Sequence, residues 1–100
     1  MHNDRIDFKG LHRHALPYLP AIARRILPDG RMQGKEYIAR NPNRADRHLG
    51  SFKVNLRNGC WADFATGDKG GDVTSLVAYV LAMNQVDAAA WVARIIGRAS

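Results

Sequence analysis

The residues best suited to chemistry are cations gathered around aromatic rings. Lys53, Asn55 and Arg57 alternate along one expected strand, and Trp61 follows on the returning strand, its side chain opposite to Cys60, Ala62 and Phe64. An exposed ring beside cations holds single-stranded nucleic acid. The ring stacks a base for about 1–3 kcal/mol, and the cations neutralise the backbone. Tyr37 is a candidate second stacking ring, and Arg40, Arg44, Arg47, His48 and Lys69 extend the basic surface. The competing reading packs Trp61 beneath the N-terminal helix, since large aromatics are mostly buried.

Other chemistry finds less support. No Ser/His/Asp or Cys/His arrangement is recognisable, and Cys60 is expected to face the core, where a thiol is usually inert. Asp63, Asp68 and Asp72 crowd one loop and could hold a magnesium ion weakly, but turn and capping roles explain them first. Lys69-Gly70-Gly71 ahead of a helix is a weak phosphate-cradle signal, opposed by the flanking Asp68 and Asp72. His12 and His14 lack the four-residue spacing that sets two imidazoles on one helical face, so they and His2 read as surface histidines. The expectation is a chain that is not an enzyme and carries no cofactor.

Composition agrees with a polyanion partner. The 100 residues carry a formal charge of +6. Between Arg31 and Arg57 the bases Arg31, Lys35, Arg40, Arg44, Arg47, Lys53 and Arg57 face only Glu36 and Asp46. Such an excess attracts phosphate and gives salt-dependent binding. A chain of this length supports one domain with a modest core, too small for a deep, walled active site. A lone cysteine permits no internal disulfide, and Met1-His2-Asn3-Asp4-Arg5 lacks a signal peptide's apolar core. A cytoplasmic protein is expected.

The elements that must position these residues follow from periodicity. Leu19, Ile22, Ala23, Ile26 and Leu27 predict a helix over 18–27, preceded by a helical turn or two between Asp7 and Leu16. Glu36 to Arg40 reads as a strand and Asn41 to Gly50 as a loop. Phe52, Val54 and Leu56 predict a second, half-buried strand. Asn58-Gly59 signals a tight hairpin whose returning strand buries Cys60, Ala62 and Phe64. Asp72 caps a helix striped by Val73, Leu76, Val77, Val80 and Leu81. Asp87 caps another, with Ala88, Trp91, Val92, Ile95 and Ile96, that Gly97 ends. The expected fold is α+β: one domain over 1–100, with a helical segment at 1–30, a three-stranded antiparallel sheet at 34–66 and two C-terminal helices at 72–97.

Two knuckle-like turns carry a resemblance. Asn41-Pro42-Asn43-Arg44 comes first, then the strand Ser51-Phe52-Lys53-Val54, then Asp63-Phe64-Ala65-Thr66-Gly67 ahead of Gly70-Gly71-Asp72. Over roughly residues 34–79 this order and spacing resembles the zinc-binding domain of bacterial and phage DNA primases. The resemblance places Asn41, Arg44, Asp63 and Thr66 where that family has its Cys and His ligands. A structural zinc needs four thiolate or imidazole ligands, which these residues do not supply. The expected fold is therefore zinc-ribbon-like but metal-free. Losing zinc removes a folding contribution on the order of 10 kcal/mol. Helix burial at about 25 cal/mol per Å² is expected to replace it, with an Arg44–Asp63 ion pair across the vacant site.

The resemblance implies a single-stranded DNA-binding module from a phage, plasmid or mobile element, acting in replication and docking onto a primase-helicase or other replication protein. An active primase also needs a polymerase domain, which this chain is too short to contain. The alternative is a stand-alone protein-interaction module, or an inhibitor of a host nucleic-acid machine, on the same scaffold.

Overall fold

Hydrophobic periodicity of 3.6 at both ends of the chain and of 2 in the middle sets helices against a sheet. In the computed structural model, which describes residues 6–43 and 50–99, the order is α1 (Phe8–Ala15), a single 3₁₀ turn (Leu16–Tyr18), α2 (Leu19–Ile26), β1 (Arg31–Gln33), β2 (Glu36–Ala39), β3 (Phe52–Asn55), β4 (Trp61–Asp63), β5 (Lys69–Gly70), α3 (Val73–Leu81) and α4 (Gln85–Ala99). The fold is α+β, as expected, but the sheet has five strands in the order β1-β2-β3-β4-β5, every neighbouring pair antiparallel. The two additional strands are its edges. β1 is exposed at all three positions, and β5 is a two-residue strand ending in glycine, so neither shows an apolar alternation.

β1 and β2 are joined by Gly34 and Lys35. Gly34 has φ +65°, the left-handed backbone that a two-residue hairpin with glycine first requires. The Asn58-Gly59 signal resolves differently. Val54 pairs with Trp61, and the Asn55 N–H bonds the Cys60 carbonyl at 2.7 Å, leaving a four-residue loop from Leu56 to Gly59. Asn55 stabilises that loop itself, its Oδ1 accepting from the backbone N–H of Arg57 at 2.9 Å and of Asn58 at 3.3 Å.

α3 lies over one face of the sheet. Its Tyr79 stacks on Phe52 of β3 and packs tilted against Trp61 of β4, at 5.8 and 4.7 Å between ring centroids. The core joins Leu19 and Ile22 of α2, Phe52, Val54, Val73, Leu76, Val77 and Val92, all fully buried. Asp72 caps α3 as expected, its carboxylate accepting from the Ser75 N–H at 2.7 Å. His12 is a second cap rather than a bystander: its Nδ1 accepts the Val73 N–H at 3.1 Å. α4 is capped by Asn84, whose Oδ1 accepts from the Asp87 N–H at 2.8 Å, so Asp87 sits inside the first turn instead of ahead of it. α4 also continues through Gly97, because a lone glycine with helical neighbours only weakens a helix. Among the described residues no single helix is long and apolar enough to cross a membrane.

Candidate nucleic-acid interface

Cross-strand partners share a face of a sheet, so the registers fix what each face displays. The inner face carries Tyr37, Phe52, Val54 and Trp61, all buried. On the outer face one transverse row runs Arg31, Ile38, Lys53, Ala62, Lys69, each the direct partner of the next. Three cations therefore cross the sheet in line, with a buried isoleucine and an alanine between them. Beside the row is a shallow groove of about 340 Å³, whose walls include Lys53, Asn55, Phe64 and Lys69.

The ring that serves this groove is Phe64. Its side chain is 69% exposed, and the Lys53 ammonium lies 5.4 Å from its ring centroid. Trp61 is 6% exposed and faces the other way, with Phe52 5.7 Å from it and its Nε1 donating to Ser75 Oγ at 3.0 Å. The expected faces of β4 are thus reversed: Cys60 and Phe64 point outward and Trp61 inward. The reason is parity. A two-residue turn at Asn58-Gly59 pairs Leu56 with Trp61, the observed loop pairs Val54 with Trp61, and these registers differ by two residues. Either one puts Trp61 on the face of Val54. Gly70, the partner of Trp61 across β5, allows this burial, since a Cβ there would collide with Trp61 Nε1 and Ser75 Oγ.

The other expected site residues separate into groups. Lys53 and Lys69 join the row. Arg57 is exposed but lies in the β3–β4 loop, past the end of the strand, so it does not share the strand face of Lys53 and Asn55. Arg40 is exposed at the end of β2 beside a separate cleft with Pro28, Asp29 and Pro42. Tyr37 is no stacking platform: it is buried on the inner face, its hydroxyl donating to the Leu27 carbonyl at 2.7 Å, and burial raises its pKa above the usual 10.0. Arg44, Arg47 and His48 lie outside the described residues. The residues that sequence reasoning missed are Phe64 and Arg31. Hairpin parity signals the first, and the Gly34 turn, which pairs Arg31 with Ile38, signals the second.

The turn bearing Phe64 is held from below by a polar latch. Asn41 and Asp63, 1% and 0% exposed, meet through Asn41 Nδ2 donating to Asp63 Oδ2 at 2.7 Å. Asn41 Nδ2 also lies 2.8 Å from the Tyr79 hydroxyl, which donates to Asp68 Oδ2 at 2.7 Å. Each latch residue closes its own Asx turn: Asn41 Oδ1 accepts from the Asn43 N–H and Asp63 Oδ1 from the Ala65 N–H, both at 2.8 Å. Burial first, and then the bond to Asp68, raises the Tyr79 pKa above 10.0. With Asp63 anchored inward, the next residue, Phe64, must point outward.

Two of the four positions matched to metal ligands, Asn41 and Asp63, thus come together. Thr66 stays exposed, its Oγ1 accepting from the Asp68 N–H at 3.2 Å, and Arg44 is outside the described residues, as is its expected pairing with Asp63. The donor set does not fit zinc. Asn41 directs an N–H donor into the position a cation would occupy, and among the described residues no three His, Cys, Asp or Glu side chains converge. The phosphate-cradle signal is weakened further, because the Val73 and Ser75 N–H groups at the start of α3 are taken by His12 and Asp72.

Comparison of the chain with protein-family models, with curated proteins and with solved structures gives no match.

Proposed function

We propose that this chain is a nucleic-acid-binding module that holds single-stranded DNA across the outer face of its sheet. The observation that carries the reading is the transverse row Arg31, Lys53, Lys69 with the exposed ring of Phe64 beside it. Phosphate neutralisation by the cations of the row supplies affinity without sequence preference, and Phe64 stacks a base. Arg40 and Arg57, exposed near the ends of β2 and β3, extend the positive field.

The resemblance of residues 34–79 to primase zinc-binding domains supports a place in DNA replication for a phage, plasmid or other mobile element. In this reading the Asn41–Asp63 bond stands where the family holds its metal, and the module works without zinc beside a primase-helicase in the cytoplasm. A second reading, docking of a protein, is favoured by an apolar groove between α1 and α4 whose lining includes Leu11, Ala89, Ala93 and the 60% exposed Val86.

Anisotropy titration with a labelled oligothymidylate at two salt concentrations separates the two. Binding that weakens steeply with salt and fails in Lys53→Ala/Lys69→Ala supports the first. Absence of binding at low salt would reject it in favour of the groove.

A further inference from the structure

Neither the cation row nor Phe64 distinguishes one base from another, yet the same groove holds two side chains that do. We propose that Glu36 and Asn55 read a guanine, an inference that rests on the single-strand reading of the outer face.

Glu36 and Asn55 are direct cross-strand partners on the outer face, and both line the groove with Lys53, Phe64 and Lys69. The orientation of the Asn55 amide is set by its loop. Its Oδ1 accepts from the Arg57 and Asn58 N–H groups, which leaves Nδ2 as the end that donates to a ligand. Glu36 is half-buried, and among the described residues its carboxylate takes part in no hydrogen bond or ion pair. An ionised carboxylate only accepts. The pair therefore presents two acceptor oxygens beside a donor amino group.

Counting bonds to the Watson–Crick edges selects the base. Adenine, cytosine and thymine each present a single donor on that edge, so each makes only one charge-assisted bond to Glu36 while Asn55 donates to an acceptor beside it. Guanine offers N1–H and an N2 amino hydrogen side by side, with O6 adjacent. It engages both carboxylate oxygens while Asn55 donates to O6, giving three bonds, two of them charge-assisted and parallel. Such edges are readable when bases of a single strand are splayed out of the stack.

The base read by Glu36 is not the base stacked on Phe64. Asn55 lies opposite Cys60, and Phe64 is four residues further along the chain from Cys60, about 13 Å at roughly 3.3 Å per residue. That span corresponds to about four stacked nucleotides at 3.4 Å each. Lys53 and Lys69 lie between the two positions, on the row through Ala62, where they meet the intervening phosphates.

The test titrates the full chain with labelled oligothymidylates carrying one central dG, dA or dC, or none, at low salt. The dG oligomer is expected to bind about tenfold more tightly than the others. Glu36→Gln, which retains size but presents a donor in place of one acceptor, should reduce that preference to twofold or less. Its thermal midpoint serves as the folding control. Equal affinity for all four oligomers overturns the guanine inference and leaves the single-strand reading standing, as does a full dG preference retained by Glu36→Gln. No binding by any oligomer overturns both.

Discussion

Trp61 and Phe64 are three residues apart in the chain and lie on opposite faces of the sheet. Trp61 is enclosed by Phe52, Tyr79 and Ser75, whereas Phe64 stands in solvent beside Lys53. Both are aromatic, and residue type alone makes Trp61 the better stacking platform. Cross-strand register decides otherwise. The inner face matches Trp61 with Val54, and the outer face matches Ala62 with Lys53 and Lys69. Which aromatic can meet a ligand is thus a property of strand pairing and not of residue type.

The largest effects expected are those that break the inner face. Trp61→Ala should lower stability by about 3–5 kcal/mol in urea denaturation, the usual range for removing a buried tryptophan. A loss below about 1 kcal/mol would mean that the ring is not packed as described. Asp63→Ala comes next. It removes one acceptor of Asn41 Nδ2 and the closure of the Ala65 turn, at about 1–3 kcal/mol for hydrogen bonds to a buried carboxylate. It should also weaken DNA binding more than its effect on folding explains, because Phe64 loses its anchored neighbour. A variant as stable as the parent would remove the latch from the account.

Much of this fold is legible before the structure. The stripes of α2, α3 and α4, the Asp72 cap and the period-two core of β3 are all read from side-chain spacing, because each buries an apolar face whose periodicity is imposed by geometry. The edges β1 and β5 are not, since their pairing is made by backbone groups while their side chains stay exposed or absent. Asn58-Gly59 shows how a strong local signal is overridden. Asn55 accepts two loop N–H groups and opens the turn to four residues, and Gly59 packs against His12, which is itself committed to capping α3. Of the candidate site, Lys53 and Lys69 are readable from charge alone. The inward face of Trp61 is readable from hairpin parity, because an even shift in register leaves the faces unchanged. The Asn41–Asp63 latch was out of reach, because it joins two turns 22 residues apart in the chain through side-chain polarity that no periodicity encodes.

Smaller effects sharpen the contrast from the outer side. Phe64→Ala should leave urea stability within about 0.5 kcal/mol of the parent, as an exposed side chain does, while weakening oligonucleotide binding by about 1–3 kcal/mol, the worth of one stacked base. The reverse pattern, with stability lost and binding kept, would exchange the roles of the two aromatics. Lys53→Ala and Lys69→Ala should each reduce the slope of log affinity against log salt by about 0.7, the increment for one single-strand phosphate contact. An unchanged slope in both would take the row out of the binding surface.

The smallest effect is confined to alkaline pH and concerns the inner face again. Tyr79 has its pKa raised above 10.0, chiefly by burial and then by its bond to Asp68. A raised pKa means that the folded state holds the phenolic proton more tightly than the unfolded chain does. The resulting stability is fully present below pH 10 and is lost as pH climbs through the folded value, since there the unfolded chain binds fewer protons and the slope of stability against pH is negative. Tyr79→Phe deletes both the hydroxyl and its titration. The variant should be less stable than the parent near pH 8, where the hydroxyl still bridges Asn41 and Asp68, and the gap should narrow above pH 10 as the parent alone loses the proton. Tyr37 titrates in both proteins and cancels in the difference. A gap that stays constant from pH 8 to 11 would show that the Tyr79 hydroxyl titrates alike in folded and unfolded chains, and the latch would then end at Asn41 and Asp63.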